Sequence, residues 1–311
     1  MAFRKLFSVL LLQLLLVVLV LDSANASALK LGFYSKTCPR AEAVVTKTTS
    51  HFISRSPSLA PALLRLHFHD CLVRGCDASV LLISTKINQA AEKESHNNLS
   101  LRGFQVIDAA KSALEKICPG VVSCADILAS VARDAVSMIY GPYWEVPTGR
   151  RDGRVSIAFE AVTNLLPSPY ANVTQLKANF ASKGLNVKDL VVLSGAHTIG
   201  ISHCSIISTR LYNFTGKGDP DPKLDRHYAA NLKKKCKPWD TETILEMDPG
   251  LFQSDASLLD DVETKAYVQF QAIFHGATFA QDFAASMVKM GQIGVLTGKA
   301  GEIRKHCALV N

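Results

Sequence analysis

Arg65 and His69 lie four residues apart in the run Leu64-Arg65-Leu66-His67-Phe68-His69-Asp70-Cys71. On a helix that spacing puts both side chains on one face, and a permanent cation beside an imidazole depresses its pKa and keeps it a neutral base. A second imidazole, His197, shares an apolar stripe with Leu190 and Leu193 in a helix read from Asp189 to Gly200. Taken singly, each histidine is more often a packed core residue than a functional one. Two such helices in one chain change the reading. One imidazole can ligate a haem iron while the other, with its arginine, faces it across the ring, an arrangement suited to breaking a peroxide bond.

The elements that must carry these groups are helical. Ser58 is read as the cap of the first histidine helix, with Pro61 in its tolerant first turn. Ile107, Ala110, Leu114 and Ile117 step by three and four until Cys118-Pro119-Gly120, and Phe279, Phe283, Met287 and Met290 repeat the pattern up to Gly291. Asn172 reads as the N-cap of a helix containing Leu176 and Phe180 and closed by Gly184. Strand-like alternation is scarce and no internal repeat occurs, so the expectation is a mainly α single unit with two halves around a cleft.

The chain has 311 residues, 48% apolar and 20% charged, which excludes a disordered or fibrous protein. Arg4 and Lys5, an almost unbroken Leu and Val run from Leu6 to Leu21, and the small residues Ser23 to Ala28 read as a secretory signal peptide over residues 1–26, cleaved after Ala26 or Ala28. No later stretch reads as a membrane span. Residues 27–311 then form the working domain, with 32 basic and 26 acidic residues, net +6. Lys233-Lys234-Lys235 is the one dense basic run, without aromatic interleaving, so anionic wall or matrix polymers fit a secreted cation better than nucleic acid does. Eight cysteines behind a signal peptide argue for four disulfides, and spacing alone leaves their pairing open. No Cys-x-x-Cys-His occurs, which disfavours covalent c-type haem. Asn98-Leu99-Ser100, Asn172-Val173-Thr174 and Asn213-Phe214-Thr215 are sequons.

The histidine run, continued by Val73-Arg74-Gly75-Cys76-Asp77-Ala78-Ser79, resembles the distal signature of secreted plant (class III) haem peroxidases. Asp189-Leu190-Val191 through Leu193-Ser194-Gly195-Ala196-His197-Thr198-Ile199-Gly200 resembles their proximal signature. Cys124-Ala125-Asp126, Gly149-Arg150-Arg151-Asp152-Gly153 and Val295-Leu296-Thr297-Gly298 are further landmarks, so the likeness covers the chain after the leader. It implies a haem-peroxidase fold, two helical halves sandwiching haem b. It implies disulfides Cys38–Cys118, Cys71–Cys76, Cys124–Cys307 and Cys204–Cys236. It implies that His69 is the distal acid–base, that Arg65 stabilises charge on the leaving oxygen, and that Asn98 holds His69 in its basic tautomer. An Asn98 inside the site would leave Asn172 and Asn213 as the glycan acceptors. His197 would be the axial ligand, with Asp255 accepting its other ring N–H and making it more electron-donating. Pro167 matches the position that meets aromatic donors. Asp70, Val73 and Gly75 through their carbonyls or carboxylate, Asp77 and Ser79 would hold a calcium ion, with Glu92 acting through water.

Two departures stand out. Leu72 replaces the usual Phe. In Met247-Asp248-Pro249-Gly250-Leu251-Phe252, two motifs that in related chains stand about twenty residues apart are fused just before Leu251. The absent stretch normally carries a Phe-Asp motif, a short helix and most of a second calcium site, leaving only Thr198 and Asp248 as candidate ligands there. The resemblance implies a monomeric secreted enzyme of the extracellular space or cell wall, with the vacuole also open. It would use hydrogen peroxide to oxidise small phenolic donors, including cell-wall phenolics and lignin precursors. The alternative is a truncated isoform with impaired haem binding and little or no catalysis.

Overall fold

The computed structural model describes residues 29–86, 90–163, 166–248 and 250–311. The expected leader therefore lies outside the described residues, and no described helix is long and apolar enough to cross a membrane. The described residues form twelve α-helices and one two-stranded antiparallel ribbon, in the mainly α architecture that the periodicity predicts.

The first half packs around α4 (Cys124–Met138), every residue of which from Cys124 to Val136 is buried. Against it lie α1 (Ala41–Ile53), α2 (Leu59–Val73) and α3 (Phe104–Glu115). On α3 the predicted stripe is buried at Ile107, Ala110 and Leu114, while Ile117, past the helix end, is partly exposed. Ser123 caps α4 by accepting the Asp126 N–H at 3.1 Å, an interaction worth about 1 kcal/mol. Ser58 does not cap α2: its own backbone is already helical (φ −64°, ψ −9°), and no side-chain cap bond forms.

The second half holds α5 (Ala158–Val162), α6 (Val173–Ser182) and α7 (Val187–Ser194), followed by β1 (Ile201–His203), α8 (Cys204–Tyr212) and α9 (Arg226–Lys235). After these come β2 (Ile244–Glu246), α10 (Gln253–Ser257), α11 (Val262–Ile273) and α12 (Phe279–Met290). Asn172 caps α6 as expected, within a reciprocal box with Gln175. Helix α7 packs on α6, α11 and α12. Strands β1 and β2 pair Ile201 with Glu246 and His203 with Ile244, above a small core of Ile207, Leu211, Leu232, Leu245 and Leu251. All four expected disulfides are present, with Cα–Cα separations of 5.8, 4.1, 5.6 and 5.4 Å in the order given above, and no described cysteine is free.

The landmark motifs between the histidine segments prove to be a buried polar frame. Asp126 accepts from the Tyr34 hydroxyl (2.7 Å), the Gly149 N–H (2.7 Å) and Arg150 Nη1 (2.8 Å), and Arg150 also holds the Gly291 carbonyl. Asp152 accepts the Ala125 and Arg304 N–H groups, and Arg304 in turn donates to the carbonyls of Asp77 and Ala78. Gly153 lies so close to Asp77 that a Cβ there would sit 2.2 Å from its carboxylate. The Asp126–Arg150 side chains are each 1% exposed, and removing one partner of such a pair strands the other charge. Asp126→Ala should therefore lower stability by about 3–5 kcal/mol. Lys188→Ala, at the more exposed Lys188–Asp282 pair, should cost under about 1 kcal/mol. Urea titrations of the oxidised proteins measure both.

Candidate active site

Helix α2 places Arg65 and His69 one turn apart. His69 is buried, and its Nδ1 lies 2.7 Å from Asn98 Oδ1. The Asn98 amide nitrogen donates to the Glu92 carbonyl at 2.8 Å, so the amide oxygen must be the atom facing the ring. Nδ1 therefore carries the proton, and Nε2 keeps the lone pair. Burial, and then the charge of Arg65, push the His69 pKa down to about 3, which leaves a neutral imidazole at neutral pH. Arg65 is exposed, and its guanidinium is steered by the Ser100 hydroxyl (3.0 Å) and the Asn97 carbonyl (3.2 Å). These two residues escaped the sequence reading, although they flank Asn98. His67, the other histidine of the run, is buried with its ring against the Cys71 sulfur, so it is the packed core histidine.

The turn after α2 is lined with oxygen. Asp70 accepts the Ala78 N–H (3.0 Å), Asp77 accepts the Ser79 N–H (3.0 Å), and Cys71–Cys76 closes the turn. Gly75 (φ +113°) abuts Gly294, where a Cβ would stand 2.7 Å from its backbone. Glu92 is fully buried, and neither of its carboxylate oxygens has a hydrogen-bond partner; the Ser79 hydroxyl is orphaned too. Burial raises the pKa of all three carboxyls, with Glu92 pushed up to about 8. Orphaned buried oxygens cost roughly 1–3 kcal/mol each, and a hard cation removes that cost. The expected calcium donors thus fit, with one adjustment. The Val73 carbonyl accepts from Lys183 Nζ at 2.9 Å, a bond that the cation would have to displace. Among the described residues no three His, Cys, Asp or Glu side chains converge to hold a metal by themselves. This agrees with a site that draws on carbonyl, hydroxyl and water oxygens.

On the other side, Asn186 and Asp189 form a reciprocal capping box that starts α7, and Asp189 also takes the Ser286 hydroxyl (2.9 Å) and the Lys289 ammonium. The expected continuous helix to Gly200 does not form. It ends at Ser194 and tightens into a 3₁₀ turn over Gly195–Thr198, so His197 is half-exposed rather than part of a packed stripe. Gly195 makes room for Phe279 beside this turn, because a Cβ there would stand 2.5 Å from the Phe279 ring. His197 Nδ1 lies 2.8 Å from Asp255 Oδ1. A carboxylate only accepts, so Nδ1 carries the proton of this bond and Nε2 is the ring nitrogen left outside it. The Phe252 ring stands edge-on to the imidazole at 5.1 Å, and the Phe252 N–H donates to Asp255 Oδ2. Gly200 lies against Pro61 of α2, which brings the two histidine segments together. Pro167 is half-buried, and Leu72 is fully buried without exposing a polar group.

Thr198 and Asp248, the candidates for a second cation site, are not brought into one cage of oxygens. The Thr198 hydroxyl donates to the Gly195 carbonyl, and Asp248 is exposed beside the Tyr228 hydroxyl. Burial and then the Asp248 charge push the Tyr228 pKa up to about 12. Two donors fall well short of the roughly six to eight oxygens calcium takes.

The Peroxidase family model matches residues 45–273. Peroxidase 27 of Arabidopsis thaliana is 58% identical over 315 aligned residues, covering 96% of this chain and 97% of its own. Peroxidase 2 of the same plant is 53% identical over 324 (98% and 99%), and Peroxidase 1 of Oryza sativa subsp. japonica is 52% identical over 311 (93% and 94%). The first two alignments are longer than this 311-residue chain, so those relatives carry residues without a counterpart here. Near-complete coverage at such identity does not favour the inactive-isoform alternative. The chain belongs to the plant (class III) peroxidase family, and it is a peroxidase.

Proposed function

We propose that the chain is a secreted haem b peroxidase that reduces hydrogen peroxide at the expense of small phenolic donors. One observation carries this reading: a buried neutral His69 with Arg65 beside it stands on α2, the helix whose Pro61 meets Gly200, three residues after a His197 whose other nitrogen is tied to Asp255. When bound, haem supplies a two-electron store, emptied by peroxide and refilled by two successive phenols. His197 Nε2 would ligate the iron, and Asp255 would make the imidazole a stronger donor. His69 Nε2 takes the proton from one peroxide oxygen and returns it to the other, which leaves as water. Arg65 stabilises the negative charge on that leaving oxygen, and Asn98 keeps the His69 lone pair aimed at the substrate. Pro167, on the resemblance, would meet phenolic donors as they approach. Calcium, held through Asp70, Val73, Gly75, Asp77, Ser79 and Glu92, would fix the end of the helix that carries His69. The leader over residues 1–26 would send the chain to the cell wall as a monomer, and Lys233–Lys235 would suit anionic wall polymers.

Three outcomes are expected. His69→Ala should slow the reaction with peroxide by roughly 10²–10⁴ while the Soret band stays. Stopped-flow traces near the parental rate would overturn the assignment. Metal analysis after dialysis against calcium-free buffer should find one calcium per chain, and two would mean that other residues complete the proximal site. Peptide mapping of the protein made in a secreting plant host should find glycan at Asn172 and Asn213. Asn172 Oδ1 serves as the helix cap and leaves the amide nitrogen outside that bond, and both residues are exposed. Asn98 should be bare, because it is 1% exposed with both amide atoms engaged.

A further inference from the structure

Asp255 lies only seven residues after Asp248, on a segment joined directly to the Asp248–Leu251 turn. The Leu251 N–H closes that turn on the Asp248 carbonyl at 3.0 Å, and Gly250 adopts φ +83°. Thr198 and Asp248 bring only two donors here, against the roughly six to eight oxygens that calcium takes, and the junction carbonyls are instead met by a protein cation. Arg210 on α8 is suited to the task. Its guanidinium is buried, paired through Nε with Asp221 Oδ2 at 2.6 Å, and it donates from Nη1 to the Leu251 carbonyl at 2.8 Å and to the Gly250 carbonyl. Asp221 is locked in return, because its own N–H donates to the Arg210 carbonyl at 2.8 Å. Helix α8 is itself anchored by the Cys204–Cys236 disulfide at its first residue.

The connection to His197 is short. From Leu251 the chain enters α10, where the Phe252 N–H meets Asp255 Oδ2 and the Ser254 N–H donates to the Pro169 carbonyl at 3.0 Å. Asp255 follows Leu251 by four residues, which span at most about 14 Å even when extended, and the Phe252 N–H ties the start of that step to the Asp255 carboxylate, so a displacement of the Leu251 carbonyl reaches it with little slack. We propose that Arg210 is a positioning residue for the proximal histidine. Its fixed cation grips the two junction carbonyls and thereby sets the Asp255–His197 hydrogen bond. A guanidinium fork suits this role because it reaches a carboxylate and two carbonyls at once. The inference rests on the reading of His197 as the haem ligand with Asp255 as its partner.

The test uses the haem-loaded protein and compares three variants with the parent. Asp255→Asn sets the scale: loss of the anionic acceptor makes His197 a weaker donor, so the ferric–ferrous potential should rise and the ferrous iron–histidine stretch should fall. Arg210→Met combined with Asp221→Leu removes the clamp without stranding a buried charge. With its Soret band intact, it should shift both quantities in the same direction, most of the way toward Asp255→Asn. Hydrogen exchange of the 252–257 amides should also accelerate. Arg210→Lys keeps the charge and loses the fork, so it should fall between this variant and the parent. If the double variant fails to retain haem, Arg210→Lys decides by the same two readouts. A folded clamp variant with parental potential and stretch, alongside a shifted Asp255→Asn, would overturn the role of Arg210 alone. If Asp255→Asn moves neither quantity, the underlying reading falls, and the inference with it.

Discussion

A neutral imidazole carries one proton, and the group held at one ring nitrogen decides which nitrogen is free to act. Both His69 and His197 obey this constraint. At His69 the holder is the neutral amide of Asn98, so the ring stays an uncharged base whose basicity is set by burial and by Arg65. At His197 the holder is the carboxylate of Asp255, which adds negative charge to the ring system. Two imidazoles with the same protonated nitrogen thus acquire opposite characters, suited to the proton carrier and the electron-rich ligand proposed for them.

Each holder must itself be held, and this requirement spreads through the molecule. Asn98 is oriented by the Glu92 carbonyl, and Glu92 belongs to the oxygen-lined turn that α2 enters through Asp70. That turn is fastened to the frame, where Arg304 grips the Asp77 and Ala78 carbonyls and Asp152 grips Arg304. The landmarks around Asp126, Arg150 and Asp152 are therefore distant supports of the His69 side, joined to it by buried hydrogen bonds. Such a frame must be complete to be tolerated, because a missing partner leaves a buried charge uncompensated.

How much was legible in the sequence follows from the range of the interactions. The Asn172 cap and the buried stripe of α3 depend on neighbours three or four residues away, and the structure agrees with them. The end of α7 is not legible locally: the helix tightens at Gly195, which packs against Phe279 more than eighty residues later, and the turn moves His197 off the apolar stripe. Ser58 was misread because its backbone had already turned helical, which no propensity reveals. The bond of Lys183 to the Val73 carbonyl and that of Arg210 to Leu251 have no local signature, since each spans a large sequence separation. The His69–Asn98 and His197–Asp255 pairs are equally remote and became readable only through the resemblance.

The same range argument explains how the segment from Asp248 to Asp255 can be held by the protein's own groups. Calcium and a guanidinium both satisfy main-chain carbonyls, but they differ in where their charge comes from. A bound ion needs a cage of oxygens contributed by a long, shaped loop, and it leaves when that loop is cut. An arginine brings its charge on the chain, and its cost of burial is met locally, here by Asp221, whose side chain is 1% exposed. It needs only two carbonyls presented by a tight turn, and the fused Asp248–Leu251 turn presents them. The geometry at His197 therefore depends on whether the Asp248–Leu251 turn meets Arg210. In this structure it does, and the Asp255 contact to His197 is formed at 2.8 Å.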